Sequence, residues 1–218
     1  MDAKAKYTRC FFRTLFPSFC YCSNDGFQND QICKFAKRHR WQGITIEPQK
    51  KAFQSLQAIY KKDKVIPING AIDSKNQTRK LYKVAFTDAR WASGLSSFLK
   101  KHLEDKIKDG YIERKAKKTG TPLPSNTSKW IDHDIINCLT FETIFNQQKV
   151  NSIDLLQVDT EGFDFEIVKR FPLHTFQHKV IIFESENLSP SDLNDCKKLL
   201  QQYNYQFKNF GGDTLAYL

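Results

Sequence analysis

Short apolar runs that each stop on an acid or an amide, with amphipathic stretches between them, constrain this chain more than any other feature. Phe16–Cys22 ends in Ser23-Asn24-Asp25-Gly26, Gly43–Ile46 ends at Glu47-Pro48, and Val65–Ile68 ends at Asn69-Gly70-Ala71. Between the first two lies a stretch from about Asp30 to Arg40 with Ile32, Phe35 and Ala36 on one helical face and Asp30 as a plausible cap. Between the second and third, Phe53, Leu56, Ile59 and Tyr60 recur at helical spacing, with Pro48 expected in the first turn. Strand, helix, strand, helix, strand is the sequence form of a parallel sheet covered by helices, so an α/β fold is expected. The pattern returns later. Ile153–Val158 stops at Asp159-Thr160-Glu161-Gly162, and a helix follows with Phe165, Ile167, Val168 and Phe171. Val180–Phe183 stops at Glu184, and Ser191-Asp192 opens a helix through Leu193, Cys196, Leu199 and Leu200. Tyr205–Phe207 and Thr214–Leu218, joined around Gly211-Gly212-Asp213, read as an antiparallel hairpin.

The middle is less regular. Leu81–Phe86 suits a strand, Trp91–Ser97 is a small-residue turn, and Phe98, Leu99, His102, Leu103 and Ile107 mark a basic amphipathic helix. Gly120–Ser128 is a loop rich in Pro, Thr and Ser, Ile135–Leu139 suits a strand, and Phe141, Ile144 and Phe145 suit a short helix. The reading is one domain over residues 1–218 with an insertion or lid at about 81–139, too small for a core of its own.

Composition narrows the class. Hydrophobic residues make up 40% of the chain, 18 of them Phe, which excludes a disordered chain. No apolar run approaches the roughly 20 residues that a bilayer span needs. Arg13 and Pro17 interrupt the apolar segment Cys10–Cys22, which reads as chain entering a sheet and not as a signal peptide. The six cysteines lack paired C-x-x-C spacing, so reduced thiols in a cytoplasmic protein are expected, and no metal constellation is visible. Thirty-four basic residues against 24 acidic ones give +10. The run Lys100–Lys118 reads as a solvated helix face, although a basic nucleic-acid-binding module would use the same charge.

In open parallel sheets ligands bind beyond the carboxyl ends of the strands, so these polar strand ends should share one crevice. Glu47 follows the first turn by about 20 residues, the separation at which a strand-end carboxylate reaches both hydroxyls of a ribose. Capping the next helix is the competing role for it. The first turn lacks G-x-G-x-x-G, which disfavours a dinucleotide and a nicotinamide oxidoreductase. An adenosine cofactor without phosphate, S-adenosyl-L-methionine, fits better.

Ser23-Asn24-Asp25-Gly26, Trp41–Pro48 and Ile153–Gly162 resemble the signature blocks of the FkbM-type methyltransferases. Asn69-Gly70-Ala71-Ile72 and Asp213–Tyr217 resemble that family as well, and the Trp91–Ser97 turn resembles a family block that either gates the crevice or starts the basic helix. The resemblance implies a class I methyltransferase (Rossmann-like) sheet, mostly parallel with a C-terminal antiparallel hairpin, and O-methylation of a hydroxyl on a small molecule or sugar. It implies that Ser23, Asn24, Asp25 and Gly26 cradle the methionine end of S-adenosyl-L-methionine and Glu47 the ribose. Asn69, Ala71 and Ile72 would lie by the adenine, with Asp159 and Glu161 at the reacting centre. A hydroxyl acceptor gains from a general base, for which Asp159 and Glu161 come first and His133 and Glu184 second; Glu161 has helix capping as its alternative. Cys22 stands where members usually carry glycine, and Cys20 where many carry a polar residue, so a degenerate cofactor-binding relative is the alternative within the family.

Overall fold

The computed structural model describes residues 18–22, 33–176 and 179–218. Strands β1 (Ser18–Cys22), β2 (Gln42–Glu47) and β3 (Lys64–Asn69) alternate with helices α1 (Cys33–Arg38) and α2 (Lys50–Ile59). Strand β7 (Leu155–Val158), helix α7 (Asp164–Arg170), β8 (Val180–Glu184) and helix α8 (Pro190–Gln201) repeat the alternation, and β9 (Gln206–Phe210) and β10 (Asp213–Tyr217) close the chain. Among the described residues these strands form one seven-stranded sheet in the order β3-β2-β1-β7-β8-β10-β9. The first five are parallel neighbours, and β10 runs antiparallel to both β8 and β9. The chain builds outward from β1 to β3, then returns to the other side of β1. That reversal puts a switch point between β1 and β7.

Apolar side chains cover both faces of the sheet. Leu155 and Val180 pack with Trp41, Leu56 and Val65 on the face of α1 and α2. Their sequence neighbours Leu156 and Ile181 point the other way, into a cluster with Ile167, Val168 and Leu200. Helix α6 (Phe141–Gln148) joins that cluster through Phe141 and Phe145, whose rings meet Phe171. All four residues of β7 are buried because the strand is covered on both sides, which explains why three of the four are apolar and even Gln157 is buried. Pro48 lies outside the expected first turn: α2 begins at Lys50 with Gln49 as its N-cap. The expected cap Asp30 falls outside the described residues.

A second, three-stranded sheet has the order β4-β6-β5, from β4 (Ala71–Ile72), β5 (Gln77–Val84) and β6 (Ile131–Leu139). Between β5 and β6 the chain forms α3 (Arg90–Ser93), α4 (Lys100–Lys108) and α5 (Tyr111–Thr119). Contrary to the expectation that about 81–139 is too small for its own core, Val84, Ala92, Leu95, Leu103, Ile112 and Trp130 form a separate buried cluster. The basic residues of α4 and α5 lie on the faces away from it. Gly110 (φ 72°) and Gly120 (φ 66°) end α4 and α5 in left-handed conformations that favour glycine. No helix among the described residues is long and apolar enough to cross a membrane.

Asp73 fastens the β4–β5 connection to α7. Its carboxylate, 3% exposed, accepts from Ser74 N–H (2.7 Å), Gln77 Nε2 (2.6 Å) and Arg79 Nη1 (3.2 Å), and lies 3.7 Å from Arg170 Nε. Burial raises its pKa, but these donors and the Arg79 charge outweigh burial and leave it below the ordinary value. Its stabilising contribution is therefore present above pH 4 and lost as pH falls through the depressed folded value. Asp73→Ala should cost about 2 kcal/mol, discounted from a fully buried pair because both arginines are partly exposed. Chemical denaturation at pH 7 checks this; an unchanged midpoint would show the contacts to be energetically idle.

Candidate active site

Parallel packing brings the ends of β2, β3 and β7 to one rim, and a cleft opens there. Ile46, Glu47 and Gln49 line it from β2 and its turn, Gly70, Ala71 and Ile72 from the β3–β4 junction, and Asp159, Thr160 and Glu161 from the end of β7. Ser93, Gly94, Ser96 and Phe98 line it from the segment around α3. That segment is anchored on both sides. Gln49 Nε2 donates to Ser93 O (3.1 Å), Ser96 Oγ donates to Gln49 Oε1 (3.3 Å), and Ser97 Oγ donates to Glu161 O (3.3 Å). The Trp91–Ser97 turn thus borders the cleft as well as leading toward α4.

Glu47 is 2% exposed, and one of its carboxylate oxygens accepts from Gln49 N–H at 2.7 Å. The predicted capping contact and the predicted cleft position therefore coexist in one side chain. Asn69 departs from its expected place by the adenine. Its amide donates to the carbonyls of Glu47 (2.9 Å) and Pro48 (3.2 Å), so it braces the turn that carries Glu47, while Ala71 and Ile72 do line the cleft. His133 is a correction. It sits on β6, opposite Tyr82 on β5, with Asp132 as its ionic neighbour at 3.8 Å, and it does not line the cleft. Alternation along the polar β5–β6 pair turns it to another face. Ser23, Asn24, Asp25 and Gly26 lie outside the described residues.

Opposite Glu47 the rim is crowded with carboxyl groups. Asp159 and Glu161 from β7 meet Glu184 from β8, and one oxygen of each lies within 4.8 Å of the others. Asp213 pairs with Glu184 in the β8–β10 register. Asp164, fully buried at the start of α7, accepts from Thr160 Oγ1 (3.0 Å) and Gly162 N–H (3.3 Å). Asn187 Nδ2 bridges the cluster, donating to Glu161 Oε2 (2.8 Å) and Glu184 Oε2 (3.1 Å). Glu161 therefore does not cap α7; that turn is held by Asp164. Glu161 itself has φ 52°, uncommon for a residue with a side chain, and Gly162 follows at φ 92°. Adding a Cβ to Gly162 would place it 3.1 Å from Asn187 O.

Burial and crowding together set the protonation states. Burial, then the neighbouring carboxylates, raises Glu161 to about 9 and Glu184 to about 7, while burial and Asp213 raise Asp159 to about 6. Asp164 is raised well above its ordinary value by burial and by Glu184 and Asp159. The sequence reading named Asp159, Glu161 and Glu184, but it missed Asp164, Asn187 and His102 as members of this rim. The spacing of Asp164 from Asp159 and of Asn187 from Glu184, each just past a strand end, was the available signal.

The family model described as Methyltransferase FkbM domain matches residues 22–207. A solved structure of the Methanococcus jannaschii fibrillarin pre-rRNA processing protein is similar at TM-score 0.44 and 9% identity. The match covers 93% of this chain and 66% of that one, so this chain spans just under two thirds of that protein's length. No curated protein matches the chain significantly.

Because the native chain retains protons on these carboxyls that the unfolded chain has released, its stability should fall as pH rises from about 5 through about 9. Thermal unfolding of the chain without added ligands across that window checks the sign. A melting temperature that climbs with pH would contradict the crowded-carboxyl geometry.

Proposed function

The chain belongs to the FkbM methyltransferase domain family, and from that membership we propose that it transfers a methyl group from S-adenosyl-L-methionine to a hydroxyl of a small molecule or sugar. The observation that carries this reading is the shared cleft: Glu47 and Asp159 border one opening from either side of β1. The sheet supports it too, since seven strands with an antiparallel pair at one edge match the class I methyltransferase arrangement that the family resemblance implies. The lining also fits an adenosyl cofactor. A buried carboxylate at β2 suits a ribose diol, and Ile46, Ile72 and Phe98 offer apolar surface to a base.

When bound, the cofactor supplies an electrophilic methyl group on a sulfonium. The chain's part is to hold the acceptor oxygen about 3 Å from that carbon, in line, and to receive its proton. A carboxylate pressed against the sulfonium would stabilise the ground state more than the transition state, where that charge is vanishing. The acid rim is better used toward the acceptor. Among its members, Asp159 and Glu184, with values near 6 and 7, are suited to accept a proton near neutral pH. Glu161, near 9, is protonated there and is suited to donate a hydrogen bond to the acceptor. The anchored 93–98 segment would exclude water from one side. Cytoplasmic residence belongs to the same proposal.

Calorimetry with S-adenosylhomocysteine tests the reading. Binding is expected, with Glu47→Gln weakening it about 10- to 100-fold through loss of charge-assisted hydrogen bonds. Asp159→Asn should keep binding within a few-fold and reduce methyl transfer from labelled S-adenosyl-L-methionine to a polyol and sugar panel by about 100-fold or more. Absence of binding in the unmodified chain would overturn the proposal.

A further inference from the structure

We propose that Asp159, Glu161 and Glu184, completed by the imidazole of His102, form a binding site for one divalent cation of the manganese type. Two independent observations converge on it. The first is geometric: carboxylate oxygens from the ends of two adjacent strands come within 4.8 Å of one another, a spacing that small side-chain adjustments reduce to the span of one coordination sphere.

The second is His102. Its side chain is 10% exposed, and its Nε2 is buried without a hydrogen-bond partner among the described residues. That nitrogen points at the cluster, 3.7 Å from Glu161 Oε2, too far for a hydrogen bond. A buried imidazole nitrogen facing a carboxylate without a bond is costly, and a cation between them satisfies both groups. A neutral imidazole nitrogen is a common ligand of divalent metals. The Lys106 ammonium lies 5.3 Å from the centre of the Tyr111 ring, and its charge also acts on Glu161.

The donor set indicates the metal. Three carboxylates suit magnesium, calcium and manganese, and one imidazole shifts the balance from the first two toward manganese. Asn187 serves as the orienting residue, since its amide holds Glu161 and Glu184 together, as outer-shell partners of metal ligands commonly do. Asp159 and Glu161 also line the cleft, so the cation would face it from the side opposite Glu47. On the methyltransferase reading, an open coordination position there would bind the acceptor hydroxyl and lower its pKa, so that its proton would pass to solvent water as the oxygen takes the methyl group and the cofactor leaves as the thioether. That consequence rests on the proposed function; the site itself does not.

Titrating the full chain, stripped with EDTA, with Mn²⁺ and following the free-ion signal by electron paramagnetic resonance tests the site. One saturable site is expected, with Glu184→Gln raising its dissociation constant at least tenfold and His102→Ala raising it several-fold. A free-ion signal that stays undiminished into the millimolar range overturns the proposal, as does saturable binding of equal strength in a folded Glu184→Gln chain. If that variant does not fold, the titration of the unmodified chain still decides. S-adenosylhomocysteine calorimetry in EDTA reports separately on the cofactor reading, so either can fail without the other.

Discussion

Like charge confined between hydrogen-bonded strands is the interaction around which this molecule is arranged. β7 and β8 are parallel neighbours, so Asp159, Glu161 and Glu184 leave the sheet at the same edge, and β10 brings Asp213 beside them. Glu161 and Glu184 are partly withdrawn from solvent at this edge while Asp159 is exposed, so their repulsion is only partly screened. The carboxyls therefore retain protons, and the rim behaves as a reservoir that any arriving cation can discharge. A divalent ion and a proton are two ways to relieve the same repulsion.

Holding such a rim requires support beyond the strands. Asn187 ties Glu161 to Glu184, Asp164 secures the Thr160–Gly162 turn, and Ser97 grips the Glu161 carbonyl from the segment after α3. Glu161 sits at a left-handed φ within this frame, a conformation that persists only where its surroundings fix it. Across the cleft, Asn69 and Gln49 do the equivalent service for Glu47. The two halves of the site are thus separately braced and joined through the anchored 93–97 segment.

Much of this was legible in the sequence. Largely apolar runs such as Gly43–Ile46, Leu155–Val158 and Val180–Phe183, each halted by an acid, identified the buried parallel strands, and their stopping points gave Glu47, Asp159 and Glu184 a common rim. The middle of the chain was harder because β5 and β6 are half exposed. Lys83 Nζ meets Asp134 at 2.7 Å, so cross-strand charge pairing holds what apolar alternation could not announce. Helix α5 has only Ile112 and Ala116 fully buried in a basic stretch and gave no clear periodic signal. His133 misled because an imidazole between two aspartates looks catalytic on paper, whereas strand alternation decides which face it joins. His102 was hidden for the opposite reason: it lies within an amphipathic run, and only packing of α4 onto the β7 turn reveals what its ring faces.

A crystal structure with S-adenosylhomocysteine bound tests the central claim most directly. The account predicts the ribose hydroxyls within hydrogen-bonding distance of the Glu47 carboxylate and the sulfur directed toward the Asp159–Glu161 side of the same cleft. A nucleoside seated elsewhere, with Glu47 and Asp159 on no common ligand-bearing surface, would contradict it.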